Sequence, residues 1–196
     1  MTVMTTHDPY ELPADLPVPE DDGAADHLVG MPIPDVSLPS SGGGNLRLDE
    51  LGSRARAIVF AYPRMSVPGS DPLVPDWDEI PGARGCTPES CGFRDLHAEL
   101  AQAGADVAGV STQSTDYQRE TVDRLGLPYP MLSDLAGRLT EALRLPTFEA
   151  DGNVLLRRLT LVIADGGIEH VFYPVFPPDR HAGEVLAWLR AHAASS

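Results

Sequence analysis

The sequence predicts an α/β domain in which a mainly parallel sheet carries helices on both faces and ends in an antiparallel hairpin. First, strand-like and helix-like segments alternate through the middle of the chain, a pattern typical of parallel sheets covered on both faces. Second, Asp-Gly pairs flank apolar runs near the C-terminus and indicate a hairpin there. Third, 42% of the 196 residues are apolar, which is enough to fill the core of one domain.

The first predicted elements are a hairpin and a buried strand. Short alternating segments at 36–38 and 46–48 flank a turn rich in Ser and Gly. The apolar run over 56–62 is typical of a buried strand, and Pro63 ends it. Residues 64–84 are rich in Pro, Gly and Asp and predict an inserted loop, and loops of this length are often functional.

The elements that follow are predicted from the spacing of their apolar residues. Two helices also carry start signals, because Thr115 and Gln118 have capping-box spacing and Asp134 precedes an apolar stripe. In chain order we predict a helix over 87–103, a strand over 105–111, a helix over 115–125, a strand near 132, a helix from 134 to 146, strands over 154–164 and 168–173, and a helix over 179–192.

Residues 1–28 differ in composition from the domain that we predict over 29–196. They contain seven acidic residues, four Pro and no Arg. Such a segment buries too little apolar surface to offset the entropy of ordering it, so we expect an acidic, flexible N-terminal arm. We expect the arm to keep the protein in solution, and binding of a partner is the alternative.

Charge and composition exclude several classes of function. The net charge of −15 argues against nucleic acid and anionic membrane surfaces as partners. The chain has no Lys, which removes a Gly-Lys phosphate loop and a Schiff-base lysine. No apolar run is long enough to span a bilayer, and we read no secretory signal. With only two Cys, the composition favours a reducing compartment, and we expect the cytoplasm.

The two cysteines are the candidates for chemistry. Cys86 lies where the predicted helix begins, and a helix N-terminus favours a thiolate over a thiol. Cys91 follows five residues later, at least ~7.5 Å along the helix axis, so a disulfide requires the first turns to unwind. Two inert buried thiols are the alternative. A metal site is not predicted, because the two side chains point about 140° apart on a helix.

The segment 85–95 resembles the active-site segment of the peroxiredoxin Q family, also called bacterioferritin comigratory proteins. It matches all specified positions of the pattern G-C-T-x-E-x-C-x-F-R-D. Further matches follow in the family's order at 30–38, 60–63, 109–111, 127–134 and 158–163. The resemblance implies a thioredoxin-like fold, thiol-dependent reduction of peroxides, a thioredoxin-like reductant, a monomer or weak homodimer, and no metal or organic cofactor.

The resemblance also implies roles for particular residues. Cys86 would be the peroxidatic cysteine, Cys91 the resolving cysteine of the same chain, and Arg158 the arginine that holds the thiolate and polarises the peroxide. A fixed cation there would stabilise the thiolate and the departing oxygen. Because neighbouring strand residues face opposite sides, only one of Arg157 and Arg158 can serve. Supporting residues are Thr87, Glu89, Arg94, Arg84 and Pro63.

This sequence departs from the family pattern before Cys86. Ala83 occupies the position of the usual Thr or Ser hydroxyl, and Glu79 occupies the position of the usual Pro. Ser66, Ser70 or a backbone N–H of the insertion could replace the hydroxyl. The 64–84 insertion, in which Trp77 is the largest apolar residue, is either a lid over the site or a surface loop with no part in the chemistry. The departures motivate two alternatives, a thiol–disulfide oxidoreductase or redox tailoring enzyme with weak peroxidase activity, and a redox sensor that acts through the acidic arm.

Overall fold

The computed structural model describes residues 8–51 and 55–193, which form a mixed sheet packed between two layers. The strands are β1 (Ser37–Pro39), β2 (Asn45–Arg47), β3 (Arg56–Ala61), β4 (Ala105–Ser111), β5 (Met131–Ser133), β6 (Thr147–Ala150), β7 (Asn153–Leu156), β8 (Leu159–Ala164) and β9 (Gly167–Phe172). The helices are α1 (Cys86–Asp95), α2 (His97–Gln102), α3 (Thr115–Leu125), α4 (Arg138–Leu143) and α5 (His181–Ala191), with short 3-10 turns at Leu48–Leu51, Trp77–Glu79 and Pro178–Arg180.

The central sheet has the strand order β5-β4-β3-β8-β9. β3 pairs in parallel with β4, and β4 pairs in parallel with β5. β8 runs antiparallel to β3 and is joined to β9 by the predicted hairpin. The α/β class is therefore confirmed, although the antiparallel pairs are as many as the parallel ones because β8 returns along β3 in the opposite direction.

Apolar side chains fill both faces of the sheet, as the alternation of strand residues requires. On one face Ile58 and Phe60 of β3 pack with Phe93 of α1 and with apolar residues of α2, α3 and α5. On the other face Val59 packs with α4 and with Leu28 from the N-terminal segment. The site-bearing helix α1 is thus anchored through Phe93 to the centre of the sheet.

Two predicted elements are interrupted in the structure. The helix predicted over 87–103 is divided at Leu96, whose φ of −97° and ψ of 8° end α1 before α2 begins. The strand predicted over 154–164 is divided at 157–158, because β7 pairs with β6 whereas β8 belongs to the central sheet. The backbone N–H of Arg157 donates to the carbonyl of Pro146, which continues the pairing of β7 with β6 by one residue before β8 begins.

The N-terminal segment lies against the domain over its described part, 8–28, whereas the sequence predicts a flexible arm. Ala25 and Leu28 are buried in the core, and the Arg84 guanidinium donates to the carbonyls of Asp8 and Glu11. These contacts depend on two apolar residues and on backbone groups, which the acidic composition does not reveal. Within 8–51 and 55–193, no helix has the length and apolar character needed to cross a membrane.

Candidate active site

Cys86 is the first residue of α1, and the glycine before it determines this position. Gly85 has a φ of 105°, a region that L side chains rarely adopt. A Cβ at Gly85 would also lie 2.3 Å from Cγ of Pro178 and 3.0 Å from Cδ1 of Leu12. The chain can therefore enter the helix here only as glycine, and the turn leaves Cys86 buried, with 4% of its surface exposed.

Arg158 lies beside Cys86 in the same buried space. Its Nη2 atom is 3.2 Å from the Cys86 Sγ atom, and its side chain is 1% exposed. Burial alone would lower the pKa of Arg158, but the charges of Cys86 and Glu89 more than offset it, and the pKa is raised overall. Arg158 is therefore charged, and a fixed cation at this distance stabilises a thiolate. The same Nη2 also faces the carbonyls of Gly82, Ala83 and Arg84.

Glu89 lies one turn further along α1 and holds the other end of Arg158. Its Oε2 atom accepts a hydrogen bond from Nη1 of Arg158, and its side chain is fully buried. Burial raises the pKa of Glu89 to about 7, although Arg158 opposes the shift. The pair orients the guanidinium so that its second nitrogen faces Cys86.

Cys91 lies on the same helix and is free, as is Cys86. It is half-buried and packs against the core on that face of the sheet. Burial raises the pKa of Cys91, and the nearby Arg94 opposes the shift. Arg94 donates to the carbonyl of Leu125 at 2.8 Å, so it ties α1 to the end of α3 on the Cys91 side.

A cavity of about 10 Å³ opens beside Cys86. Thr87 and Ser66 bring hydroxyl-bearing side chains to its wall, and Ala83 contributes an apolar wall where the family pattern has a hydroxyl. Pro63 is buried at the end of β3, outside the lining of this cavity. The remaining lining residues are Pro9, Arg64, Trp77, Arg84 and Gly85.

The 64–84 insertion forms a packed wall of this cavity. Trp77 is 3% exposed and packs with Ala83, Ala150 and Leu155 in a third apolar cluster. The insertion is therefore attached to the β6–β7 hairpin. Its last residue, Arg84, turns its side chain to Asp78 and to the N-terminal segment, while its carbonyl accepts from Arg158.

Two contributors to the site were not predicted from the sequence. Pro9 comes from the N-terminal segment, whose composition gave no signal of docking. His181 is fully buried, and its Nε2 atom lies 2.7 Å from the Thr160 Oγ1 atom. Burial, and then the charge of Arg158, lowers the pKa of His181 to about 3, so this histidine is neutral. The sequence offered one indication of His181, which is that this histidine lies at the start of the last helix, two residues after the predicted start.

The described residues, 8–51 and 55–193, contain no group of three His, Cys, Asp or Glu side chains placed to hold a metal ion. The chemistry that this arrangement offers is that of a buried thiol beside a fixed cation. A second thiol on the same helix is available for disulfide formation.

Comparison with known proteins places this chain in a family. The Redoxin family matches residues 28–186. Peroxiredoxin Bcp of Escherichia coli is 31% identical over 164 residues, which cover 82% of this chain and 94% of that protein. Peroxiredoxin bcp1 of Schizosaccharomyces pombe is 31% identical over 137 residues, which cover 69% of this chain but 62% of that longer protein.

Solved structures show the same likeness. Peroxidoxin BcpB from Mycobacterium tuberculosis superposes with a TM-score of 0.69 at 30% identity, over 86% of this chain and all of that one (100%). Bacterioferritin comigratory protein of Xanthomonas campestris, described for its alkyl peroxide reduction activity, gives a TM-score of 0.64 at 25% identity over 93% of this chain and 100% of that one. The chain therefore belongs to the Redoxin family, among the peroxiredoxins of the bacterioferritin comigratory protein, or peroxiredoxin Q, type.

Proposed function

We propose that this protein is a thiol-dependent peroxidase that reduces hydrogen peroxide or organic hydroperoxides with Cys86 as the attacking thiolate. The single observation that carries the residue assignment is the 3.2 Å contact between Arg158 Nη2 and Cys86 Sγ inside a buried site. The named peroxiredoxin relatives favour peroxide reduction over thiol–disulfide exchange as the main activity. The activity described for the Xanthomonas protein supports alkyl hydroperoxides as a substrate class.

In the first step the Cys86 thiolate attacks the terminal oxygen of the peroxide. A sulfur–oxygen bond forms, the oxygen–oxygen bond breaks, and the leaving hydroxide or alkoxide takes up a proton to become water or an alcohol. Cys86 is oxidised to a sulfenic acid. Arg158 donates to the sulfur and is placed to stabilise the charge that moves onto the departing oxygen.

In the second step the Cys91 thiol attacks the Cys86 sulfenic acid, a disulfide forms, and water leaves. The two cysteines are separated by at least ~7.5 Å of helix rise, more than a disulfide spans, so the first turns of α1 must unwind. A dithiol donor of the thioredoxin type then supplies two electrons, becomes a disulfide, and returns both cysteines to thiols.

The remaining expectations belong to this proposal. Glu89 is a positioning residue for Arg158, Thr87 lines the cavity while its hydroxyl donates to the Met65 sulfur, and Pro63 fixes the end of β3. We expect a monomer or weak homodimer in the cytoplasm, where two free thiols persist. The excess of acidic residues supports the expectation that neither nucleic acid nor membrane is a partner.

A stopped-flow experiment tests the proposal directly. The reduced protein is mixed with hydrogen peroxide or, separately, with cumene hydroperoxide, and free thiols are counted at the end. With hydrogen peroxide we expect rapid loss of both thiols in the wild type, no rapid phase in Cys86→Ser, and an intact first step in Cys91→Ser; the trace with cumene hydroperoxide ranks the two substrates. Multi-turnover peroxide consumption by Cys86→Ser would refute the assignment of the attacking thiol.

A further inference from the structure

We propose that residues 8–12, here named the strap, determine which peroxides reach Cys86. With the strap docked, the site admits a molecule of the size of hydrogen peroxide and excludes bulky hydroperoxides, which enter only when the strap is released. The inference rests on the proposed peroxidase function and deepens it by naming the substrate class that the docked site selects.

The strap is attached to the rim of the active site at several points. The carbonyls of Asp8 and Glu11 accept hydrogen bonds from Nη2 of Arg84, two residues before Cys86. Cδ1 of Leu12 lies 3.0 Å from the position that a Cβ at Gly85 would occupy, so the leucine covers the residue before Cys86. The strap therefore crosses the start of α1.

Two neighbouring strap residues face opposite surroundings. Pro9 is buried and lines the cavity beside Cys86. Tyr10 is 48% exposed, and its hydroxyl accepts from Nη1 of Arg124 at 3.2 Å. The charge of Arg124 also opposes the rise that burial causes in the pKa of Cys91. The strap therefore extends from Cys86, the proposed attacking thiol, toward Cys91, the proposed resolving thiol.

Because the cavity beside Cys86 is small, the position of the strap decides which peroxides can enter it. The cavity volume of about 10 Å³ is close to the space that one water molecule needs. Hydrogen peroxide is close to this size, whereas the carbon substituent of a bulky hydroperoxide has to pass the residues around the opening, Pro9 among them, before its oxygen can reach Cys86, which is 4% exposed. Trp77 and Ala83 cannot yield easily, because both are fixed in the third apolar cluster. Pro9 belongs to a segment with exposed neighbours on both sides, so it is the wall that can move.

The strap also lies outside the part of the chain that the family match covers. The Redoxin match begins at residue 28, whereas the strap ends at residue 12. The selectivity is therefore inferred for this chain from its own contacts and is not carried over from its relatives.

Alkylation of Cys86 tests access without any peroxide chemistry. The full-length protein carries Cys91→Ser so that Cys86 is its single thiol, and it reacts with iodoacetamide or with a bulky fluorescein maleimide. The strap is released by P9G/Y10G/L12G in the full chain, since glycine favours the undocked state entropically. The matched control is A14G/D15G, at two exposed residues of the same segment beyond the strap.

We expect the released strap to raise the rate with the bulky reagent by at least about tenfold, the factor expected when the open state is a minor population. The rate with iodoacetamide should rise by a smaller factor, because this reagent is larger than hydrogen peroxide but much smaller than the maleimide, and the control should match the parent for both reagents. Equal rates with the bulky reagent in parent and released variants would overturn the inference. If the triple variant loses its cooperative melting transition, Leu12→Gly alone carries the same comparison.

Peroxide kinetics in the same variants separate this inference from the proposed function. We expect the ratio of second-order rate constants, cumene hydroperoxide over hydrogen peroxide, to rise about tenfold when the strap is released. If both peroxides react but the ratio is unchanged, the strap inference fails and the peroxidase assignment stands. If alkylation follows the strap but neither peroxide reacts, the proposed function fails and the strap remains a gate to the thiol.

Discussion

Replacement of Glu89 by Gln tests the electrostatics of the buried site through the pH dependence of stability. Glu89 and Arg158 are both fully buried, and each lies in contact with the other. Gln keeps the size of the side chain and an acceptor for Arg158 but cannot ionise. The difference between wild type and variant therefore isolates the titration of this one carboxyl.

The sign and the size of the effect follow from the raised pKa. Burial raises the pKa of Glu89 from 4.5 to about 7. Between these two values the folded state holds a proton that the unfolded state has lost, so the stability that Glu89 contributes falls as the pH rises. At ~1.36 kcal/mol for each pH unit, the loss from pH 4.5 to 7 is about 3 kcal/mol.

His181 contributes the opposite slope. Burial lowers its pKa from 6.5 to about 3, so between these values the folded state binds fewer protons than the unfolded state. The contribution of His181 to stability therefore rises with pH over that window. In the wild type the opposite pH dependences that Glu89 and His181 give to the free energy of unfolding largely cancel between about pH 4.5 and 6.5. In Glu89→Gln only the contribution of His181 remains, so the stability of the variant should rise with pH over this range.

Urea unfolding from pH 4.5 to 7.5, followed by fluorescence of the buried Trp77, measures the effect. We expect the free energy of unfolding of the wild type, minus that of Glu89→Gln, to fall by about 3 kcal/mol over the window. The matched control, Glu141→Gln, makes the same replacement at an exposed carboxylate on α4 and reports the general effect of losing one acidic side chain. A constant difference for Glu89→Gln would refute the reasoning, since it would mean that Arg158 keeps this carboxylate ionised throughout.

Three further predictions address the site and its entry turn. Arg158→Gln should slow the first oxidation by ~10²–10³-fold in stopped flow, because it removes the cation beside the sulfur, whereas Arg157→Gln should stay near wild type; equal slowing would contradict this. Cys91→Ser should consume one peroxide for each chain rapidly and a second one slowly, as the sulfenic acid is oxidised to a sulfinic acid that mass spectrometry detects, and sustained turnover with a dithiol donor would contradict a resolving role. Gly104→Ala is the control for the Gly85 variant and should lower the free energy of unfolding by ~1–2 kcal/mol, because a residue with a side chain is strained at this positive φ. Gly85→Ala should lose a further ~1–3 kcal/mol in thermal melts because its Cβ overlaps a proline, and equal losses would contradict the close approach.

The sequence predicts the start of the catalytic helix well, because the signals there are local. Gly85 followed by Cys86, with Phe93 at the spacing of the buried stripe, requires no knowledge of distant residues. Arg158 was identified by its motif, but the strand argument for choosing it over Arg157 assumed one continuous strand. Arg158 lies in the bend between β7 and β8, and that bend arises because β7 pairs with β6.

The docking of the N-terminal segment could not be predicted from composition. Composition counts seven acidic side chains, but the attachment to Arg84 uses the backbone carbonyls of Asp8 and Glu11, which every sequence possesses. The buried Ala25 and Leu28 supply the apolar contact, and two residues are too few to stand out in a polar segment. The division of the helix predicted over 87–103 could not be predicted from the sequence either, because no Pro or Gly stands at Leu96 to indicate a break.

The contacts of α1 also explain how one helix can serve both the thiol and the disulfide state. Unwinding as far as Cys91 would break the pair between Glu89 and Arg158, so the reduced site opposes it. In the proposed mechanism, oxidation of the attacking Cys86 thiolate to an uncharged sulfenic acid would remove its attraction to Arg158 and so weaken the first turn at the step when it must open. Beyond Cys91 the helix is fixed, because Phe93 stacks on Phe60 with ring centroids 4.5 Å apart. Cys91, the proposed resolving cysteine, lies two residues before this anchor, so we expect the unwinding that the proposed disulfide requires to stop there.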